Sequence, residues 1–347
     1  MLKVQSQTPL VSVVMPTWNA AAFLQEAIDS VLSQSLSDFE LICVDDHSSD
    51  QTADCLASYS DSRLRVLTNS GQGMAAALNT GLKEARGALI ARMDADDIAH
   101  PKRLAAQVRF LNENPDIAVC GTQVELFGTE QGSLIMPLES EAIRTALIFG
   151  TPFIHPTVMF RRSVIDQGYL YNVSFELAQD YEFWARVVPQ FKSANLPRVL
   201  LKMRRRAAHS WGSDYRQRQQ GFAQLARKAL FNGLGVELTP EQNDAYKKLA
   251  AQNFRLSKDD FQACVSWAKR VLNDFPFEYA SRESLREVLM ARLYWAFSEA
   301  VTPGTLKIAL NGLKDINGGW DRKFYLRSLG LAKNAARNAL RRAQSNQ

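Results

Sequence analysis

The sequence predicts an α/β fold, in which a mostly parallel sheet is covered by helices and is followed by an all-α C-terminal region. Three observations support this prediction. In the first half, short apolar runs of strand length alternate with segments whose apolar residues have helical spacing. Most of these strand-like runs end in polar or acidic residues. From about residue 211 onward, β-branched runs become scarce and helical patterns follow one another.

Strands and helices alternate along the first 112 residues. Short apolar runs predict buried strands at residues 10–15, 39–44, 64–67 and 88–93. Helices are predicted at residues 23–32, 74–85 and 101–112, and a further helix, capped by Asp50, is predicted to end near residue 59. Ligands of such sheets bind beyond the carboxyl ends of the strands, so the polar residues at these ends predict the ligand site.

The C-terminal part is predicted to be helical, with helices at residues 215–234, 240–254, 258–273, 278–300 and 303–314. We place the domain boundary after residue 210, so that residues 1–210 form the α/β domain and residues 211–347 a helical region that contacts a membrane or an acceptor. Basic residues are concentrated at the end of the chain and are opposed only by Asp321: Arg322, Lys323, Arg327, Lys333, Arg337, Arg341 and Arg342. Apolar residues among them suggest an amphipathic helix on an anionic bilayer, and a helix packed on the core is the alternative.

Composition is that of a globular protein. The 347 residues are 46% hydrophobic and 22% charged, with a net charge of +5. Four cysteines without a CxxC pair predict buried, reduced thiols. No signal-peptide pattern and no apolar run of membrane-spanning length is found, which predicts a cytoplasmic protein, soluble or peripheral on the inner face of the plasma membrane. The basic segment does not show the pattern of stacked aromatic and basic residues that nucleic-acid binding favours.

Acidic residues follow the fourth predicted strand. Asp94, Asp96 and Asp97 stand in the segment MDADD. Two carboxylates separated by one residue at a strand end can bind a hard cation such as Mg²⁺ or Mn²⁺, which favours oxygen ligands and substrate phosphates. Such a cation would stabilise a leaving diphosphate as a Lewis acid. A solvated loop or a helix cap is the alternative interpretation.

Two further strand ends carry candidate binding residues. Pro16-Thr17-Trp18-Asn19 follows the first strand, where the indole ring can stack on a base and the polar side chains can donate hydrogen bonds. Asp46 follows the second strand, and its carboxylate can accept the imide N–H of uracil. A turn with a packed Trp, and helix capping by Asp46, are the alternatives. A loop ending at Gly73, before a predicted helix, can approach phosphate.

A carboxylate at the start of a later helix is a candidate base. A sugar hydroxyl is hardly ionised at neutral pH, so its attack on an anomeric carbon needs a base, and Asp180 in QDYEFW can supply one. The alternative is a charge that interacts favourably with the helix dipole. His155 is interpreted as structural, whereas His209, after the run Arg204–Arg206, can contribute to binding a diphosphate and its metal.

Together, these segments resemble glycosyltransferase family 2, a family of inverting enzymes with the GT-A fold. The resemblance covers about residues 8–210 and rests on three segments in the family's order and spacing: VSVVMPTWNAAAFLQEAIDSVLSQSLSDFELICVDDHSSDQT, ARMDADDIAHPKRL and QDYEFWARV. It implies that a sugar passes from a nucleotide-sugar, with a UDP-hexose or UDP-N-acetylhexosamine expected, to a hydroxyl of a glycan or glycolipid acceptor. Cell-envelope polysaccharide or lipopolysaccharide synthesis is the expected setting.

The resemblance also implies a role for each matched residue. The nucleotide-sugar would contact Pro16, Thr17, Trp18, Asn19, Asp46, Gly73, Arg92, Asp94 and Asp96. Asp96, with Asp94 and His209, would bind Mn²⁺ or Mg²⁺, and Asp180 would be the catalytic base. Gln179 stands where the family commonly has an acid. This departure motivates the alternative of a non-catalytic protein that binds nucleotide-sugars.

Overall fold

The computed structural model describes residues 8–206, 213–250, 256–276, 278–301 and 303–317. The chain divides into two compact units. The first comprises Met1–Ile143 and Thr151–Arg227, and the second comprises Arg144–Gly150 and Lys228–Gln347. The basic C-terminal segment and His209 lie outside the described residues. None of the described helices is long and apolar enough to cross a membrane.

Four parallel strands form one half of the sheet in the first unit. They are β1 (Val11–Thr17), β2 (Phe39–Asp45), β3 (Leu64–Thr68) and β4 (Leu89–Arg92), in the order β3-β2-β1-β4. Helices α1 (Leu24–Leu32), α2 (Thr52–Ala57) and α3 (Met74–Glu84) connect them. β1 is buried along its whole length, as expected of a strand with both faces covered. The sequence predicted these seven elements.

The other half of the sheet is mixed. It contains β5 (Ile98–Ala99), β6 (Val119–Gly128), β7 (Gly132–Leu134), β8 (Met159–Arg161) and β9 (Ser193–Arg205). β8 runs antiparallel to β4 and β6, whereas β9 is parallel to β6 and antiparallel to β5. The helices of this part are α4 (Arg103–Glu113), α6 (Ser163–Asp166) and α7 (Gln179–Val187), and α5 (Ser140–Leu147) begins in the first unit and ends in the second. A mixed, mostly parallel sheet covered by helices is the GT-A architecture that the sequence predicted.

A buried carboxylate connects β1, β2 and the segment after α3. Glu40 accepts hydrogen bonds from Ser12 Oγ at 2.6 Å, from Arg86 Nη2 at 2.7 Å and from Arg65 Nη1 at 2.9 Å. Burial by itself would raise its pKa, but the hydrogen bonds from Arg86, Ser12 and Arg65 outweigh burial and lower the pKa from 4.5 to about 2. Glu40 is therefore ionised at neutral pH and stabilises this half of the sheet.

The second unit is helical. It contains α9 (Pro240–Ala250), α10 (Lys258–Asp274), α11 (Arg282–Ala300) and α12 (Pro303–Asn317), while α8 (Ser213–Gly233) begins in the first unit. Ser257 and Asp260 form a capping box at the start of α10. In its core, the rings of Tyr246 and Trp267 stack with centroids 4.9 Å apart. The predicted all-α region is thereby confirmed within the described residues.

Candidate functional site

The carboxyl ends of β1, β2 and β4 meet at one edge of the sheet, because β1 pairs in parallel with both other strands. A cavity of about 280 Å³ opens there. Its lining residues are Pro16, Thr17, Trp18, Asp46, Gly73, Met74 and Ala77. The side chain of Trp18 is 67% exposed, so its ring can stack on a planar ligand. Five of these lining residues are among those that the sequence predicts to contact a nucleotide-sugar, and Met74 and Ala77 are not.

Asp46 is held rigidly beside this cavity. Its Oδ1 accepts a hydrogen bond from Asn69 Nδ2 at 2.6 Å, and its Oδ2 accepts one from the backbone N–H of Gly73 at 2.9 Å. Gly73 has a φ of 86°, a left-handed backbone conformation that would be strained in a residue with a Cβ. Each carboxylate oxygen keeps a further lone pair, so Asp46 can accept another hydrogen bond from a ligand.

The neighbouring polar side chains hold the loops that form the cavity. Thr17 is buried, and its hydroxyl donates to the carbonyl of Val44 at 3.2 Å. Asn19, with a φ of 47°, accepts a hydrogen bond from the backbone N–H of Ser49 at 2.8 Å. Their predicted contacts with a nucleotide stay predictions. Helix α2 begins at Thr52 with Gln51 at its N-cap, so the prediction that Asp50 caps this helix is wrong by one residue. Asp50 accepts hydrogen bonds from the N–H of Thr52 at 3.0 Å and from its hydroxyl at 2.5 Å.

Three carboxylates lie together after β4. Ligand atoms of Asp94, Asp96 and Asp97 are all within 4.8 Å of one another. Burial raises the pKa of Asp96, and the neighbouring Asp94 raises it further. Asp97 is buried, and among the described residues its Oδ2 has no hydrogen-bond partner. Oxygen ligands at this separation, with one buried oxygen left over, fit a divalent cation, which would relieve their mutual repulsion.

Arginines surround these carboxylates. Arg92 Nη2 lies 2.5 Å from Asp94 Oδ1, and Arg206 Nη2 lies 2.6 Å from Asp96 Oδ2. The backbone N–H of Arg204 donates to Asp97 Oδ1 at 2.8 Å. Arg103, which is completely buried on α4, donates to the carbonyl of Arg92 at 2.7 Å and so fixes the end of β4. Asp94 is thus held by a neighbouring residue of the chain, whereas Asp96 and Asp97 are held by residues more than 100 positions away.

Arg92 is itself buried, with 4% of its surface exposed. Among the described residues, its Nε and Nη1 have no hydrogen-bond partner. Its positive charge opposes the rise in pKa that burial causes at Asp180, and it adds to the fall in pKa that burial causes at His155. Arg92 therefore pairs with a carboxylate of the cluster and also acts electrostatically on Asp180 in the first turn of α7.

Asp180 stands in the first turn of α7. Burial raises its pKa, against the opposing effects of a backbone hydrogen bond from Tyr181 and of the charge of Arg92. A raised pKa brings a carboxylate closer to the range in which it can take a proton from a hydroxyl. The preceding Ala178 adopts the left-handed conformation, with φ 54° and ψ 27°, which costs about 1–2 kcal/mol in a residue with a Cβ.

His155 is structural, as predicted. Its Nε2 lies 2.8 Å from the hydroxyl of Tyr171, and burial lowers its pKa well below the ordinary value. Tyr171 and Asn69 are site-supporting residues that sequence analysis missed. Asn69 directly follows β3, so the rule that polar residues at strand ends mark the site, applied to the third strand, would have found it. For Tyr171 and Arg103 the sequence carries no comparable signal. Within the described part of the chain, the four cysteines form no disulfide.

Comparison with known proteins agrees with this GT-A architecture. The family model "Glycosyl transferase family 2" matches residues 12–168. The putative glycosyltransferase EpsE of Bacillus subtilis is 37% identical over 206 residues, which are 56% of this chain and 73% of that protein. The O-antigen biosynthesis glycosyltransferase WbnJ of Escherichia coli is 32% identical over 204 residues, covering 56% of this chain and 79% of that protein. The chain belongs to glycosyltransferase family 2 and is a glycosyltransferase.

The matched spans leave part of each protein uncovered. They make up 65% to 76% of the lengths of three curated relatives. The crystal structure of S. aureus TarS 1–349 in complex with UDP-GlcNAc aligns with a TM-score of 0.53 at 17% identity, covering 94% of this chain and 89% of that one. This likeness shows a shared fold. The family model ends at residue 168 and therefore includes the carboxylate cluster but not Asp180.

Proposed function

We propose that this enzyme transfers a sugar from a UDP-sugar to a hydroxyl of a glycan acceptor, with inversion at the anomeric carbon. The observation that carries the proposal is the position of two features at one sheet edge: the cavity beside Trp18 and Asp46, and the carboxylate cluster after β4. One feature suits a planar base, and the other suits a cation that binds phosphate.

The donor's base would stack on Trp18, and its imide N–H would donate to Asp46. This geometry fits uracil better than cytosine, because the oriented carboxylate of Asp46 is an acceptor, the imide nitrogen of uracil is a donor, and the corresponding nitrogen of cytosine carries no proton. Pro16, Thr17 and Asn19 would shape the cavity around the base, and Gly73 would allow close approach of the backbone. The donor sugars we expect are hexoses or N-acetylhexosamines.

A divalent cation, Mn²⁺ or Mg²⁺, would be held by Asp96 and Asp94, with His209 as a further proposed ligand. When bound, such a cation stabilises the negative charge of a leaving diphosphate. Arg92, buried beside Asp94, would keep that carboxylate oriented and is also proposed to assist donor binding.

Asp180 would accept the proton of the attacking hydroxyl. A single base is sufficient for one inverting displacement, and burial of Asp180 shifts its pKa in the direction that strengthens it as a base. Gln179 stands where the family commonly has an acid, but this departure leaves the carboxylate of Asp180 in place. Residues 1–210 would form the catalytic domain, and residues 211–347 would be the helical region.

The acceptor would be a glycan or glycolipid of the cell envelope, made on the cytoplasmic side of the membrane. The name of the relative WbnJ, which refers to O-antigen biosynthesis, supports this setting. A peripheral contact with anionic lipid through Arg337, Arg341 and Arg342 stays part of the proposal. Glutamate substitutions at these three positions should weaken binding to vesicles of anionic lipid, and unchanged binding would refute this contact.

Calorimetry with UDP, GDP and CDP, each with and without Mn²⁺, tests the donor half of the proposal. We expect tight UDP binding that requires the cation and is lost in Asp96→Ala. Turnover of UDP-sugars by the purified enzyme tests the other half. Binding of UDP without turnover would favour the alternative of a non-catalytic nucleotide-sugar-binding protein, and binding of none of the three nucleotides would refute the proposed donor site.

A further inference from the structure

Helix α8 presents one face to the segment that leads into α7. Tyr215, Arg218 and Phe222 are three and four residues apart, so they lie on the same side of the helix. The ring of Phe222 lies 5.7 Å from that of Phe175, and Arg218 forms an ion pair with Glu176. Further along, Arg227 lies over the ring of Tyr181 at 5.5 Å. All of these residues belong to the first unit.

These contacts lie on both sides of a strained residue. Ala178 is left-handed, with a φ of 54°, and it immediately precedes Gln179 and Asp180. No side-chain cap from the described residues satisfies the start of α7. A left-handed alanine needs support from its surroundings, because its intrinsic preference is for other backbone conformations. The contacts made by Phe222, Arg218 and Arg227 are positioned to give that support.

Burial raises the pKa of Tyr215, on the same face of α8, and the negative charge of Asp180 raises it further. The family model ends at residue 168, and the predicted domain boundary lies at residue 210. α8 lies beyond both limits.

We propose that the first part of α8 belongs to the catalytic apparatus, and that Phe222 and Arg218 are positioning residues that hold the turn before Asp180 in its left-handed conformation. The proposal rests on the proposed role of Asp180 as the base. It makes the α/β segment up to residue 210 catalytically incomplete without α8.

Two variants with opposite effects on the turn test this proposal. Phe222→Ala removes the ring that supports Phe175, and Ala178→Gly removes the Cβ that makes the left-handed conformation costly. Leu225→Ala is the matched control, since Leu225 lies on the same helix and is 55% exposed. The full-length protein is used throughout, and three properties are measured: hydrogen exchange of the amides at residues 176–183, UDP release from UDP-N-acetylglucosamine and from UDP-glucose with water as acceptor, and UDP affinity.

We expect Phe222→Ala to speed exchange in this segment and to slow UDP release, each by about fivefold, with UDP affinity unchanged. Adding Ala178→Gly to Phe222→Ala should restore most of the protection from exchange and most of the rate of UDP release. Glycine adopts the left-handed conformation without support from α8. Leu225→Ala should change neither. Equal exchange in the wild type and Phe222→Ala, or no recovery on adding Ala178→Gly, would overturn the proposal.

The charge pair gives a second test that does not endanger folding, because both Arg218 and Glu176 are more than half exposed. Arg218→Glu and Glu176→Arg should each speed hydrogen exchange at residues 176–183. The double variant, in which the two charges are swapped, should return exchange towards the wild-type rate. Exchange that responds as expected in a protein that releases no UDP would count against the proposed function alone. Charge variants that leave exchange unaltered would count against positioning by Arg218.

Discussion

Replacing Asp46 by Asn changes the group that the structure orients most firmly beside the cavity. Asp46 receives two hydrogen bonds from fixed donors, Asn69 Nδ2 at 2.6 Å and the N–H of Gly73 at 2.9 Å. An asparagine has one oxygen and one NH₂ group. In either orientation of the amide, its NH₂ group faces Asn69 Nδ2 or the N–H of Gly73. The hydrogen bond to that group is lost, and two hydrogen-bond donors then face each other.

The magnitude follows from these two bonds. A hydrogen bond to a charged group contributes about 1.5–3 kcal/mol, so Asp46→Asn should lower the free energy of unfolding by about that amount. The same substitution affects binding. If a remaining lone pair of Asp46 accepts the imide N–H of uracil, the affinity for UDP should fall by a factor of roughly 10 to 100 in Asp46→Asn. The cation and phosphate contacts remain, so binding is weakened rather than abolished.

Calorimetric titration of UDP in the presence of Mn²⁺ measures the affinity, and urea denaturation measures the stability. Asn69→Ala is the matched control, because it removes a partner of Asp46 but keeps the carboxylate. Its UDP affinity should fall less than that of Asp46→Asn. UDP affinity within twofold of the wild type in folded Asp46→Asn would refute the assigned contact. A larger loss in Asn69→Ala would show that orientation of the loop matters more than the carboxylate.

Asp180→Asn should retain UDP affinity and lose at least about 100-fold in turnover, measured as UDP release; turnover near the wild-type rate would exclude Asp180 as the base. Trp18→Ala should weaken UDP by about tenfold in calorimetry without lowering the melting temperature, since the ring is 67% exposed; equal affinity would remove the stacking contact. Glu40→Gln should lower the free energy of unfolding by about 2–3 kcal/mol at pH 7. Because the folded pKa of Glu40, about 2, lies below the unfolded value of 4.5, this contribution is present above pH 4.5 and is lost as the pH falls towards 2. Urea denaturation at several pH values should therefore show the two proteins converging in acid, and a constant difference would contradict this origin of the stabilisation.

The parallel half of the sheet could be read from the sequence because its signals are local. β1, β2 and β4 are short, buried along nearly their whole length and accordingly apolar, and the helices between them have apolar faces. Since parallel strands end at the same edge, placing Trp18, Asp46 and Asp96 together needed no further information.

The mixed half of the sheet carries no such local signal in the sequence. β5 and β8 have two and three residues, and β9 contains Pro197 and pairs with β6 through register shifts. β5 and β8 are too short, and β9 is too irregular, for a period of alternating residues to be resolved. Their pairing also depends on residues far apart in the chain.

The sequence by itself determined the order of the first strands and helices, and it identified the carboxylates that the strand ends carry. Tertiary structure alone decided what holds those carboxylates. Arg206 reaches Asp96 across 110 positions of the chain, Asn69 orients Asp46, and Arg103 fixes the end of β4 from inside the core. Burial and the neighbouring charges shift the pKa of Asp96 and Asp180. These effects depend on distance and solvent exclusion in three dimensions, which the periodicity of a single sequence does not encode.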